Sequence, residues 1–477
     1  MPDIDAVKIL QQRFRESEDS TWFISLDGNE LSYRQFWASG KKLAEEWQNA
    51  GVCKNDVVAF VLPNGYSVFC CYLACAIGGF VACPVVNTLH ESTVKQLLDT
   101  VNPRMVIRNS PEVIVDGDVN EYEMEVDQDA PFLIMFTSGA TGVPKAICHC
   151  LHSVVSSAYS FGNLTAMTKE TRLYHILPMT YMAGFLNTML SPLLHGATII
   201  EGPLFSPAIM LDFWSRPLQY GVNTISIIPS IASALCHMTR SQAVVKQVKQ
   251  QIKQIQCTSA PIHMDLRHRF KDKFSIPLQD CYGITELGGP LTFQSYEDAV
   301  KFAESSVPLS ELEIELRNDS ELWIKSPFRM LGYLDKGEVS KPFDERGFMN
   351  TGDLAEYENG QIKITGRIKD IIIRGGVNIS PSHLESIISL KQGIDDVSVV
   401  GHKHDFWGEE IVACVISEDN SEQMHDDILN YCKDNLGSHE CPDKVLFFEK
   451  FPRSFIGKLQ KKTLQEQVAV TLSGGEI

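Results

Sequence analysis

The chain has 477 residues, 44% of them hydrophobic and 21% charged, an ordinary globular composition with room for two or more domains at roughly 100 to 200 residues each. A formal net charge of −18 argues against a broad nucleic-acid or anionic-membrane surface, since both partners need a basic face. The 13 cysteines are scattered through apolar runs such as FCCYLACA, the pattern of buried reduced thiols, and a cytoplasmic location is expected.

The N-terminal stretch MPDIDAVKILQQRFRESEDS mixes acids and bases around no long apolar run, so it reads as neither signal nor transit peptide. Next come a helical segment, YRQFWASGKKLAEEWQNAG, and a buried strand, DVVAFVL. VFCCYLACAIGGFVACPVV, at 68–86, approaches the length of a membrane span. Gly78-Gly79 and Pro84 divide it into a buried helix, a tight turn and a short β segment, so no membrane span is expected. A helix (ESTVKQLLDTV) and apolar runs (RMVI, FLIMF, ATII, TISII) follow. Helices alternating with buried strands predict an α/β fold with largely parallel sheets, more than one of them.

Between these runs, residues 136–145 read FTSGATGVPK. Glycines let backbone N–H groups approach an anion, hydroxyls can donate and a lysine adds charge, so the loop is suited to phosphate. Its glycine spacing and its Val-Pro-Lys ending are not those of the Walker loop. The alternative is an ordinary small-residue turn between a strand and a helix. The neighbouring CHCLH, at 148–152, is not read as a metal site. Strand alternation puts Cys148 and Cys150 on one face and His149 on the other, and no second Cys/His pair follows at zinc spacing.

Near residue 310 the texture changes to short β-like pieces, ELEIELR, ELWIKS, FMNTGDLAEYE and GQIKITGR, which predict a small β-rich subdomain. After ITGRIKD the pattern resets to a compact α+β unit with a helix from 422 to about 436, closing on PRSFIGKLQKKTLQEQV, a glycine-lysine turn into a basic helix. The expected division is 1–368, a large N-terminal domain, and 369–477, a small mobile C-terminal domain.

Four stretches join the phosphate loop in a fixed order: TSAP at 258–261, DCYGITE at 280–286, NTGDL with TGRIKD at 350–370, and PRSFIGK at 452–458. Together they resemble the adenylate-forming superfamily of acyl- and aryl-CoA ligases, peptide-synthetase adenylation domains and luciferases, closest in type to a stand-alone acyl- or aryl-CoA ligase. Residues 31–90 also resemble the family's opening segment. The resemblance implies that a carboxylic acid is activated by ATP to acyl-adenylate, with release of pyrophosphate. The acyl group then passes to the thiol of coenzyme A as AMP leaves. The alternative is a stand-alone adenylation enzyme that loads a carrier protein or an amine.

By the same resemblance, Thr137, Ser138, Gly139, Thr141, Gly142 and Lys145 hold the β- and γ-phosphates. Tyr282 lies against adenine, Asp280 accepts from its amine, and Ser259, Ala260 and Pro261 form the opposite wall. Asp353 takes the ribose hydroxyls with Arg367 behind it, although Arg367 could instead serve as an interdomain ion pair. Catalysis falls to Thr285 at the α-phosphate, Glu286 as the Mg²⁺ carboxylate and Lys458 as the mobile cation. Lys369 is the hinge on which the C-terminal domain rotates, and Gly375 and Gly376 make room for a pantetheine arm, with a plain glycine turn as the alternative. Tyr181, Met182, Thr258 and Gly283 line the acid pocket.

Three departures from the family pattern matter. Ala140 stands where a hydroxyl is usual, removing one phosphate donor. Thr258-Ser259 replaces a glycine pair and narrows the wall. Tyr181 occupies a gate position, and Met182 beside it stands where amino-acid-activating members place an aspartate. A thioether cannot pair a buried ammonium, so an α-amino acid is disfavoured and a small-to-medium apolar monocarboxylic acid, aryl or short-to-medium acyl, is expected. Met182 packing only as core remains the other reading.

Overall fold

The computed structural model describes residues 5–112, 122–137, 144–203, 209–318, 320–335, 338–453 and 459–473. The phosphate-loop residues Ser138, Gly139, Ala140, Thr141 and Gly142, and the C-terminal Lys458, lie outside them. Local signals start the helices. Ser32 and Gln35 form a reciprocal capping box on Tyr33–Asn49, and Ser241, Ser295 and Ser421 cap later helices through their hydroxyls. The stretch at 68–86 divides as its glycines predict: helix Tyr66–Gly78, left-handed Gly79 at its C-cap, then strand Val81–Pro84. That helix is buried on nearly every side, the pattern of an internal helix. No helix among the described residues is long and apolar enough to cross a membrane.

Two seven-stranded sheets dominate. The first runs in the order Leu278–Cys281, Gln254–Thr258, Thr224–Ile227, Arg172–His175, Thr198–Glu201, Thr21–Ile24 and Glu30–Ser32. Only its last pair is antiparallel. The second sheet is mixed. Strands Pro131–Thr137, Val81–Pro84, Val57–Phe60 and Met105–Ile107 run parallel, while Lys145–Cys150, Gly332–Asp335 and Glu338–Ser340 extend it antiparallel. The expectation of largely parallel sheets therefore holds for the first and only half of the second. The reason is pairing: KAICHC is itself a strand, buried from Ala146 onward and held antiparallel between Pro131–Thr137 and Gly332–Asp335.

The β-rich subdomain is a four-stranded antiparallel sheet, Glu313–Arg317, Glu321–Lys325, Met349–Glu358 and Gln361–Arg367. Its last hairpin turns on Asn359-Gly360, both at positive φ (51° and 76°), the Asn-Gly preference of a tight hairpin turn. A short helical turn, Ile368–Asp370, carries Lys369. A five-stranded sheet then begins at Ile372, with helices Pro381–Ile388 and Glu422–Asn435 packed on one core (Leu384, Ile388, Val399, Ile411, Val415, Ile428).

Candidate active site

Register closes the phosphate loop. Thr137 and Lys145 are cross-strand partners, which brings a hydroxyl and a lysine side by side at the ends of two antiparallel strands. The Lys145 ammonium sits 4.5 Å from the centre of the Tyr333 ring, a cation–π contact. Tyr333 is held on the neighbouring strand opposite Ile147. Its hydroxyl donates to Glu286 Oε1 at 3.0 Å, and burial followed by the Glu286 charge raises its pKa above the usual tyrosine range. Tyr333 thus links the loop lysine to the proposed magnesium carboxylate, a link with no motif of its own in the sequence.

The YGITE turn is the hub. Gly283 pairs with Pro290, and a Cβ on it would stand 2.3 Å from the Gly289 carbonyl oxygen, so only glycine fits. Behind the turn, buried His149 donates from Nε2 to the Thr285 carbonyl at 2.8 Å, with Nδ1 3.3 Å from Ser153 Oγ. Burial lowers its pKa to about 4, keeping the ring neutral. His149 therefore braces the backbone of Thr285. The CHCLH stretch packs as core on either side, with Cys148 and Cys150 buried and the Cys150 Sγ capping the next helix.

The residues expected to face the nucleotide come from the hairpin of Met349–Glu358 and Gln361–Arg367 and from the ends of the parallel strands Gln254–Thr258 and Leu278–Cys281. Asp353 and Arg367 are cross-strand partners, and Arg367 Nε lies 2.7 Å from Asp353 Oδ1. The other oxygen, Oδ2, accepts from the Tyr282 hydroxyl at 2.6 Å. Arg367 thus makes its ion pair within the β-rich hairpin. Burial and the Asp353 charge push the Tyr282 pKa upward, holding the phenol as donor. Arg267 bonds Asp280 at 3.2 Å; burial nevertheless raises the Asp280 pKa against the attraction of that arginine. Ser259 adopts φ +74°, so the serine that replaces a family glycine retains the left-handed backbone glycine suits. Ala260 and Pro261 follow it in the same loop.

Among the acid-pocket residues, Thr258 is buried and its hydroxyl donates to the Cys281 carbonyl at 3.0 Å. Met182 is buried at the N-cap of a π-helix, Ala183–Leu190, a helix type frequent at functional sites. A Cβ on Gly289 would meet Met182 Cγ at 2.9 Å, which places Met182 beside the YGITE turn. Tyr181 is half-buried, and burial raises its pKa.

Gly375 and Gly376 (φ +58° and +83°) turn a hairpin between Ile372–Arg374 and Val377–Ile379, not between a strand and a helix. Gly375 N–H donates to the Trp407 carbonyl at 2.8 Å, and a Cβ there would come 3.1 Å from the indole. Ile373, Val377, Phe406 and Trp407 are exposed around this turn.

The fold and these motifs define an adenylating enzyme, and comparison with known proteins agrees. Residues 10–334 match the model of the AMP-binding enzyme family and residues 383–458 that of the AMP-binding enzyme C-terminal domain. The chain belongs to this family of AMP-binding enzymes. It is 28% identical to a long-chain-fatty-acid–CoA ligase of Mycobacterium tuberculosis over 93% of this chain and 94% of that protein. It is 25% identical to a 2-succinylbenzoate–CoA ligase of Listeria monocytogenes over 96% and 98%. Its fold matches the anthranilate CoA ligase AuaEII in complex with anthranoyl-AMP at TM-score 0.87, with 17% identity and 99% of each chain covered.

Proposed function

We propose that this chain is an AMP-forming acid–thiol ligase that converts a carboxylic acid, ATP and coenzyme A to acyl-CoA, AMP and pyrophosphate. The observation that carries the reading is the YGITE hub: Tyr282 bonds Asp353, which pairs with Arg367, and Glu286 bonds Tyr333, whose ring carries Lys145.

In the first half-reaction a carboxylate oxygen attacks the α-phosphorus. The new acyl–oxygen–phosphorus bond forms as the bond to the β-phosphate oxygen breaks and pyrophosphate leaves. Thr285 donates to the α-phosphate, the loop from Thr137 to Lys145 holds the leaving phosphates, and Lys458 bridges the two reacting anions. The hard carboxylate oxygens of Glu286 would suit Mg²⁺ delivered with ATP, an ion commonly held by one or two carboxylates plus phosphates, which would neutralise phosphate charge. In the second half-reaction the thiol sulfur attacks the acyl carbon, its proton is lost and AMP departs.

The domains divide at Lys369, and the C-terminal unit presents Lys458 for adenylation and the Gly375-Gly376 turn for thioester formation. The exposed apolar side chains around that turn give the second orientation surface to bury. The acid is a small-to-medium, mainly apolar monocarboxylate, because Met182 offers no ammonium partner and Thr258 closes the wall. The 13 free thiols, most of them buried, fit a reducing cytoplasm.

The test incubates the enzyme with ATP, Mg²⁺ and a panel of amino, aryl and graded fatty acids. Adenylate is trapped as hydroxamate, and CoA is then added and the thioester sought by mass. Hydroxamate with aryl or short acids and a CoA thioester are expected. Adenylate without thioester would move the acceptor to a carrier protein or an amine. Lys458→Ala should cut carboxylate-dependent pyrophosphate release about a hundredfold while sparing thiolysis of supplied adenylate. Lys369→Pro should leave one half-reaction and abolish the other.

A further inference from the structure

The first seven-stranded sheet carries an unusual row on the face toward the π-helix. In register across four parallel strands stand His175, Ser226, Gln256 and Gln279, all buried. The π-helix crosses this row. Its Thr188 carbonyl accepts from His175 Nδ1 at 3.2 Å at one end, and its Asn187 Nδ2 lies 3.9 Å from Cys281 Sγ at the other. Ser226 and Gln256 fall between those two anchors. Ser226 Oγ, Gln256 Oε1 and Asn187 Oδ1 are fully buried with no hydrogen-bond partner among the described residues. Natural interiors rarely leave such groups unpaired, at a cost of about 1–3 kcal/mol each.

The row is continuous with the acid pocket. Gln256 shares a strand face with Thr258, two residues and thus about 6.6 Å away. Asn187 follows Met182 by one π-helical turn. Thr258 and Met182 are the residues expected to line the acid pocket, and Gln256 and Asn187 are their neighbours on the strand and the π-helix.

We propose that the acid activated by this enzyme carries a second, uncharged hydrogen-bonding group, such as a hydroxyl, an aromatic amine or an amide, which pairs with Asn187, Ser226 and Gln256 at the bottom of the pocket. The inference rests on the acid–thiol ligase reading above. Amide and hydroxyl groups can donate or accept but supply no charge. Among the described residues, the one buried arginine or lysine is Arg267. It is tied to Asp280 and Gln294 from helix Met264–Phe274, on the opposite face of the sheet. A second carboxylate or sulfonate would meet no cation and is excluded; a fully apolar tail would leave the three groups unpaired.

The test compares matched sets: pentanoate, 5-hydroxypentanoate and glutarate; benzoate, 4-hydroxybenzoate, 4-aminobenzoate and terephthalate. Each is assayed with ATP and Mg²⁺ by hydroxamate trapping. The hydroxyl- or amine-bearing member of at least one set should exceed its unsubstituted partner in kcat/KM by about a hundredfold or more, as sites built around a polar group do, and the dicarboxylates should be the poorest. In Ser226→Ala and Gln256→Leu that ratio should collapse toward one, mostly through loss of the hydroxylated substrate. Preference for the unsubstituted acid or the dicarboxylate, or a ratio unmoved in both variants, overturns the proposal.

A readout independent of turnover separates this from failure of the ligase reading. In Gln256→Leu the unpaired Oε1 is removed together with the Nε2 that donates to Gln254 Oε1 at 3.0 Å, so the Tm of each free protein is the baseline and the shift on adding ligand is the readout. The hydroxylated acid with AMP should raise the wild-type Tm more than its unsubstituted partner does, and should lose that advantage in Gln256→Leu. Equal Tm shifts from the two acids in the wild type, or an advantage of the hydroxylated acid that persists in Gln256→Leu, would refute the proposal whether or not any acid is turned over.

Discussion

The two faces of the first sheet are built from the same strands and could hardly differ more. On one, Ile225, Ile227, Ile255 and Leu278 meet Ile231, Leu266 and Phe270 in a continuous apolar core. On the other, the residues next in sequence, Ser226, Gln256 and Gln279, lie in a polar row under the π-helix. A parallel strand buried on both faces needs side chains that fill space on each. Stability asks nothing more of the first face. The second gives up apolar burial for hydrogen-bonding groups, and it is the face that ends at Thr258, a residue expected to line the acid pocket, and at Cys281. The contrast separates the half of the sheet that holds the fold from the half that faces chemistry.

Four experiments bear on that division. The largest effect is expected on the apolar side. Phe270 is fully buried there, and Phe270→Ala should cost about 3–5 kcal/mol in denaturant unfolding, while kcat of the folded fraction stays within a few-fold of wild type. A loss below about 1 kcal/mol would mean this face is not close-packed.

Next is the pH dependence of the polar side. Burial lowers the His175 pKa to about 4 from an unfolded value near 6.5. Because the folded state resists protonation, the contribution is fully present above the unfolded value and is lost as pH falls from about 6.5 toward 4, up to roughly 3 kcal/mol. His175→Gln should flatten the acid limb of the stability curve in that window. Phe270→Ala should lower the whole curve without changing its slope. An unchanged acid limb in His175→Gln would place the acid sensitivity elsewhere; His149, with the same shift, is the next candidate.

At the rim, function should respond more than stability. Asp353→Asn keeps the shape but loses the charge between Arg367 and Tyr282. The half-exposed Arg367 is resolvated by water, so Tm should change little, while kcat/KM for ATP should fall about 10- to 100-fold. Equal loss of stability and activity would make the pair structural. The smallest effect belongs to Tyr333→Phe, which removes one hydrogen bond to Glu286 but keeps the ring under Lys145. A several-fold loss in pyrophosphate release, of order 1 kcal/mol, is expected, with thiolysis of supplied adenylate unaffected. A larger loss would show that the hydroxyl positions Glu286.

Much of this was legible in the residues alone. The five motifs carry their chemistry in side chains close together in sequence, and the capping serines, the Gly78-Gly79 break and the Asn-Gly turn are local devices whose physics acts within a few residues. The family and the class of reaction followed from these. What only the tertiary structure decided lies in pairings between distant segments. KAICHC became a strand rather than the start of a helix because it found two sheet partners, in Pro131–Thr137 and Gly332–Asp335. Tyr333 reached Glu286 and Lys145 because that pairing set its register, and His149, read in the sequence only as not a metal ligand, became a brace through the Thr285 carbonyl 136 residues away. The polar row is the plainest case. Ser226 in TISII and Gln256 in QIQCT each read as an incidental polar residue within a buried strand. Only parallel pairing lines them up, and only the π-helix laid across them buries their oxygens without a hydrogen-bond partner among the described residues.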